Sequence, residues 1–432
     1  MAQMQGLIGI VVLLGLAALL SENRKRFPLK LAISGIALQL VIGVLALKTP
    51  IVVQGVDLIA RFVNGVILQA DAGIAFVFGP SLVSAESPVG FVFAVRVLPV
   101  IIFFASLMAV LYHIGFMQRI IAALAWLLRK TLGVTGAEAM VMASNVFVGQ
   151  TEAPLCVRPY LDRLTRAQFM TLMVGGFATI AGSVLAAYVG ILGGFGPEHE
   201  AARELFIKHL LTASVMSAPA AFVIARIIVP ETETPMDEAV HMDESAHRAS
   251  NALDAAAAGA SEGLQLCLNV GAMLIAFVAM IALVNWPLGA ISEIEMVRSA
   301  MGTVGVERLS LQSIFGLALT PLAWTMGIPW ADCGVFGTML GEKIVVTEFV
   351  AYSSLGEALN NPDGATISER SGQIAAYALC GFANFASIGI QIGGLTVLAP
   401  NRRQMIVSLA IKAMLGGALA SWMTASVAGL LL

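Results

Sequence analysis

Eight stretches of this sequence are apolar over close to the 20 residues that a helix needs to cross a bilayer: 6–21, 29–47, 91–115, 167–194, 205–229, 263–285, 374–398 and 405–431. That pattern limits the fold more than any other feature. Inside lipid the backbone has no water to bond, so a spanning segment must satisfy its own N–H and C=O groups, and a run of this length does so as a helix. Composition agrees: 58% of residues are hydrophobic and 12% are charged, about half the charged share of a soluble domain. A net charge of -3 gives no basis for a nucleic-acid partner. The expectation is an all-α polytopic membrane protein with lipid as its main surroundings.

Shorter or amphipathic stretches at 51–70, 117–130, 137–162 and 311–352 carry charges or Gly and Pro breaks, and read as interfacial helices or re-entrant hairpins. No basic segment precedes 6–20, and Arg24, Lys25 and Arg26 follow it, which suits a first membrane helix better than a cleaved signal. With the N-terminus outside and both hairpins returning to their side of entry, 15 of the 24 Lys and Arg residues lie in cytoplasmic stretches. The polar stretch 231–261 reads as a cytoplasmic linker.

Enzyme chemistry has little support. Cys156, Cys267, Cys333 and Cys380 stand apart without metal-ligand spacing, and the five histidines show no ligand pattern. There is no HExxH, phosphate-binding loop or GxSxG elbow, and no cofactor is implied.

The most informative pattern is internal. Leu124-Ala125-Trp126, Thr151-Glu152 and Gly176-Phe177-Ala178-Thr179 recur in order as Leu322-Ala323-Trp324, Thr347-Glu348 and Gly381-Phe382-Ala383-Asn384. The Trp-to-Glu spacing is 26 residues in the first copy and 24 in the second. The assumed topology inverts the copies in the membrane, as in secondary transporters whose site lies where two repeats meet. Glu152 and Glu348 fall within apolar stretches at the turning points of the two hairpins. A carboxylate at that depth is costly unless paired, hydrated or protonated, so both are candidate site residues. The competing reading places them near the interface, or has them lock the hairpins.

Gly149 and Pro154 around Gln150, Thr151 and Glu152 fit a broken turn whose backbone groups line a wet cavity. Asn384 and Ser387, three residues apart on one helical face, form a polar patch beside Glu348. An isolated Thr such as Thr179 commonly bonds its own helix. Phe382 serves equally as core or as a stacking surface. Lys343 is expected to pair with Glu342 or Glu348, and Arg158 and Arg163 to anchor the chain at the cytoplasmic surface.

At these residues the chain resembles the concentrative nucleoside transporters. Gly341-Glu342-Lys343-Ile344-Val345-Val346-Thr347-Glu348-Phe349-Val350-Ala351-Tyr352 is close to that family's G-x-K-x3-N-E-F-V-A-Y signature, supported by Gly149–Pro154 and by Ala378–Ile390. The resemblance implies a nucleoside symporter of the bacterial cytoplasmic membrane, driven by Na+ or H+ and assembled as a homotrimer. It also implies eight transmembrane helices, two opposed re-entrant hairpins in an inverted repeat, and interfacial helices. The expected division is scaffold helices (1–115), a first repeat (116–230), linker, scaffold helix and external segment (231–310), and a second repeat (311–432). Carried over by position, Gln150, Thr151 and Glu152 would meet the nucleobase. Glu348, Asn384 and Ser387 would hold the ribose hydroxyls, with Phe382 lining the pocket. Sodium would sit near Asn145, Val148, Thr179 and Ile180. Sodium is the first choice because Asn145 and Thr179 bear oxygen; the alternative is a proton-coupled nucleoside or nucleobase permease, its proton carried by an intramembrane Glu. Thr347 departs from the family's Asn at that position, and a hydroxyl lacks an amide's two-ended bonding. Two other classes stay in view: an intramembrane enzyme using Glu152 and Glu348 as acid and base, and a passive channel.

Overall fold

A computed structural model describes residues 2–83, 92–194, 199–235, 249–303, 308–360 and 366–432. Within them the chain is helical, with no strand. It opens with α1 (Ala2–Leu19), α2 (Leu29–Lys48), α3 (Pro50–Phe78), the short α4 (Pro80–Val83) and α5 (Phe93–Arg96), and α6 (Leu98–His113). Seven helical stretches among the described residues are long and apolar enough to span a membrane, including a merged Phe93–His113 and Arg166–Gly193; Met4–Leu19 and Phe385–Leu398 are shorter apolar helices. One of the seven is Pro50–Phe78, longer than the interfacial segment read at 51–70, and its length alone permits a crossing.

The internal repeat is visible as two matching helix series. The first runs α7 (Phe116–Leu132), α8 (Gly136–Asn145), a 3-10 stretch Ala153–Arg163, α9 (Arg166–Ala178), α10 (Gly182–Gly193) and α11 (Glu200–Ile228). After α12 (Ala252–Ser292) and α13 (Glu295–Thr303), the second runs α14 (Leu311–Thr325), α15 (Trp330–Val345), α16 (Glu348–Asn360), α17 (Glu369–Leu379), α18 (Phe385–Leu398) and α19 (Arg403–Leu431). Each series is an amphipathic or apolar lead helix, a helix–break–helix pair, an interrupted helix and a long closing helix.

Two expected continuous spans are broken. The run 167–194 parts at Thr179–Ala181, and 374–398 parts at Cys380–Asn384. Hydropathy does not register such breaks, because the interrupting residues are themselves mostly apolar. The chain supplies caps in their place: Asn384 is the N-cap of α18, its side chain accepting from the Ser387 N–H at 2.8 Å. Gly381 makes the second break possible. Its φ is 107°, and a Cβ there would lie 2.5 Å from the Phe177 carbonyl oxygen, so the two interruptions abut. The expected linker is also shorter than 231–261. Asn251 accepts from the Leu253 and Asp254 N–H groups and starts α12, so the Ala-rich residues 252–261 extend that helix. The part of the expected linker at 236–248 lies outside the described residues.

α11 and α19 pack together and on α9, and α1 and α2 lie along α19 and α11 respectively. α12 packs chiefly along α6, which in turn meets α10. The long helices of the repeats thus cluster with α1 and α2, and the α6–α12 pair joins that cluster through α10.

Candidate functional site

Both helix–break–helix pairs direct their turns at the abutting interruptions. In the first, Thr135 and Glu138 form a capping box that starts α8, and α8 ends at Asn145. The following turn is fastened by Gly182 N–H to Phe147 O at 2.8 Å and by Ser214 Oγ to Val146 O at 2.9 Å. These bonds tie the turn to the start of α10 and to α11. Glu152 Oε2 accepts from the Gly149 N–H at 3.1 Å, closing the tip on itself.

A cavity of about 90 Å³ lies between the turns. Gln150, Thr151 and Glu152 line it from the first pair, Thr347 and Glu348 from the second, and Phe382, Asn384 and Ser387 from the second interruption. It shares Thr151 and Glu152 with an open vestibule of about 580 Å³, whose far wall is formed by Glu262, Gln265 and Asn269 of α12. Both spaces therefore lie between the first turn and α12. Every expected substrate-contact residue comes to the smaller cavity.

Glu348 is buried and held from two sides. Tyr188 Oη donates to Oε1 at 2.8 Å, and Asn384 Nδ2 donates to Oε2 at 2.8 Å. Tyr188 is set by its contacts with Phe349 and Tyr352, at ring-centroid distances of 4.8 and 4.5 Å. The carboxylate keeps further acceptor positions, as an oxygen pair offers more than two. Thr347 Oγ1 is buried without a hydrogen-bond partner among the described residues, and the residue lines the cavity.

Lys343 is placed differently from the expected ion pair with Glu342 or Glu348. Its ammonium is buried and donates to Ala378 O (2.9 Å), Cys380 O (3.0 Å) and Ser421 Oγ (2.7 Å). The break after α17 leaves carbonyls without helical donors, and a cation at a helix C-terminus meets both that need and the helix dipole.

Of the four residues expected around sodium, Asn145, Thr179 and Ile180 are buried and Val148 is half-buried. Thr179 Oγ1 donates to Gly175 O at 2.9 Å, the self-helix bond expected of an isolated Thr, which leaves its lone pairs as acceptors. Asn145 has neither amide atom bonded among the described residues, although both are buried. A buried orphan amide calls for a missing partner, and an oxygen beside interrupted backbone suits a hard cation. No group of three His, Cys, Asp or Glu residues fit for a metal occurs among the described residues.

Three participants escape the sequence reading: Tyr188, Lys343 in its actual role, and Gln391, which donates to Gln150 Oε1 and Met173 O. Tyr188 and Gln391 are lone polar residues in apolar runs, which is the signal that marks them.

Two repeated turns meeting at two interrupted helices, with carboxylates lining the cavity between them, are the arrangement of a secondary transporter. Comparison with known proteins makes the class specific. Residues 8–81 and 209–429 match the N- and C-terminal parts of the Na+ dependent nucleoside transporter family, and 94–195 match a domain described as nucleoside recognition. The chain is 43% identical to an uncharacterized transporter of Haemophilus influenzae over 100% of this chain and 98% of that one. It is 39% identical to the nucleoside permease NupC of Helicobacter pylori, over 98% and 96% respectively. The structure of CNTnw in an inward-facing substrate-bound state superposes with a TM-score of 0.88 at 40% identity, covering 100% of this chain and 98% of that one. A variant of CNTnw in an outward-facing state gives 0.87 at 39%, with the same coverage. This chain belongs to the Na+ dependent nucleoside transporter family, and is a multi-pass protein of the cytoplasmic membrane.

Proposed function

We propose that this protein imports nucleosides by symport with sodium, using alternating access. The observation that carries the reading is the cavity in which two repeat-related carboxylates, Glu152 and Glu348, face one space between interrupted helices. Glu348, fixed by Tyr188 and Asn384, accepts from the ribose hydroxyls, with Ser387 beside it. Gln150, Thr151 and Glu152 meet the base, and Phe382 packs on the solute.

The unbonded Asn145 amide favours sodium over a proton, since a proton carrier needs no additional neutral ligand. Sodium held by Asn145, Thr179 and the backbone at Val148 and Ile180 would brace the turn that carries Gln150 and Glu152. Each ligand then raises the other's affinity. The capture of CNTnw facing both inward and outward supports a moving unit. In this reading α1 and α2, packed on α19 and α11, travel with the repeats, while α6 and α12 stay. The reading includes a homotrimer, for which α12 offers an exposed apolar face of Leu264, Leu268, Ile275, Leu283 and Trp286.

The test is equilibrium binding of uridine to the purified protein with and without sodium. Binding that tightens at least tenfold with sodium, and solute recovered chemically unchanged, supports the reading. Failure to bind any nucleoside overturns it.

A further inference from the structure

We infer that Gln391 fixes the hydrogen-bonding polarity of the base-facing end of the cavity. The protein would then select nucleosides whose base presents an oxo group beside a ring N–H. Uridine and inosine carry that edge; cytidine and adenosine carry an amino group beside a bare ring nitrogen. The inference rests on the nucleoside reading above and deepens it.

The logic begins at a group with only one possible role. The Met173 carbonyl of α9 can only accept, and Gln391 on α18, fully buried, approaches it at 3.0 Å. The nitrogen end of the Gln391 amide must therefore face it. The opposite orientation would set two oxygens against each other. The same nitrogen has a second hydrogen, and it lies 3.3 Å from the end of the Gln150 amide. Gln150 must in turn present its oxygen there. One backbone carbonyl thus determines the orientation of two consecutive amides.

Gly176 makes the relay sterically possible. A methyl group at that position would lie 2.8 Å from Gln150 Cβ and 2.9 Å from Gln391 Nε2. With its oxygen engaged by Gln391, Gln150 has its –NH2 group left as the donor for a solute in the cavity that it lines. An oxo group accepts from that donor, and an amino group opposes it. Glu152, whose Oε2 takes the Gly149 N–H, offers its other oxygen to the neighbouring ring N–H. The Gln150 donor and an ionised Glu152 acceptor match the O4/N3–H edge of uracil and the O6/N1–H edge of hypoxanthine, and they mismatch cytosine and adenine at both atoms. Sites built on buried hydrogen bonds reject such mismatches strongly, because the unpaired groups cannot turn to water.

Gln391 is a positioning residue, since it acts through Gln150, and its substitution should move selectivity and not simply rate. Proteoliposomes carrying the full chain are assayed for initial uptake of labelled uridine against cytidine, and of inosine against adenosine. The wild type is expected to favour the oxo member of each pair at least tenfold in kcat/KM. In Gln391→Glu the carboxyl has at most one hydrogen, which the Met173 carbonyl takes, so only an oxygen lone pair is left to face Gln150. This turns the Gln150 amide and shifts preference at least tenfold towards cytidine and adenosine. Gln391→Met, which offers no strong donor or acceptor, should bring each ratio to within about threefold of one. A wild type that takes up cytidine as fast as uridine overturns the inference, as does a transporting Gln391→Glu with unchanged ratios. If the wild type takes up no nucleoside, the functional reading fails and the inference with it. Uptake without oxo preference removes the inference alone.

Discussion

Replacing Glu348 by Gln separates the site's architecture from its chemistry. Asn384 Nδ2 can only donate, and Asn384 Oδ1 is committed to the Ser387 N–H, so the new amide keeps its oxygen on Asn384. Its nitrogen then faces Tyr188 Oη, which rotates its hydrogen and accepts. Both 2.8 Å contacts survive in kind, and the fold should too. The charge that strengthens bonds from the solute's hydroxyls is lost. Hydrogen bonds to a charged group contribute about 1.5–3 kcal/mol each. A neutral bond contributes about 1 kcal/mol, so two ribose hydroxyls lose roughly 2–3 kcal/mol, on the order of 100-fold in apparent affinity. The assay is concentration-dependent uridine uptake by wild type and variant in proteoliposomes, repeated with 2′,3′-dideoxyuridine. Uridine should weaken about 100-fold in the variant. The advantage of uridine over its dideoxy analogue, large in the wild type, should largely vanish. Variant uptake within threefold of wild type, or an undiminished hydroxyl advantage, would refute the assignment.

Other expectations follow from single contacts. Lys343→Met strands two buried carbonyls, Ala378 O and Cys380 O, at about 1–3 kcal/mol each, so its unfolding temperature in detergent should fall clearly; an unchanged melt contradicts the cap. Asn145→Leu should abolish the sodium dependence of uridine binding while leaving sodium-free binding within a few-fold of wild type, as read by titration calorimetry. Glu22, in the loop after α1, accepts from Arg166 at 2.8 Å and from Lys412 at 2.9 Å, and chiefly the Arg166 bond holds its carboxyl down near about 2. Its folded value being depressed, its contribution is complete above the ordinary carboxylate range near 4.5 and disappears as pH falls towards 2. Glu22→Gln should therefore cost less than about 1 kcal/mol at pH 7, given its exposure, and nothing at pH 2, as measured by melting across pH.

The spans at 29–47 and 205–229, the two turns and the gathering of seven polar and aromatic residues at one cavity were legible in the sequence. Long apolar runs and a repeated Thr-Glu dipeptide are strong local signals. The interruptions at Thr179–Ala181 and Cys380–Asn384 were not, because Ile180, Ala181 and Phe382 keep hydropathy high across them. Lys343 was misread because five residues separate it from Glu348, which invites a pair. Its true partners are carbonyls 35 and 37 residues away that exist only because α17 stops. Gln391 bonds Gln150 across 241 residues, a relation that no spacing announces.

The measurement that tests coupled import most directly is the steady internal-to-external ratio of uridine in proteoliposomes given an inward sodium gradient, with pH equal on both sides and the membrane potential clamped at zero. Sodium symport predicts a ratio well above one, with unchanged uridine inside, that collapses when an ionophore dissipates sodium. A ratio that stays at one while uridine equilibrates, or that rises only with an imposed pH gradient, contradicts it.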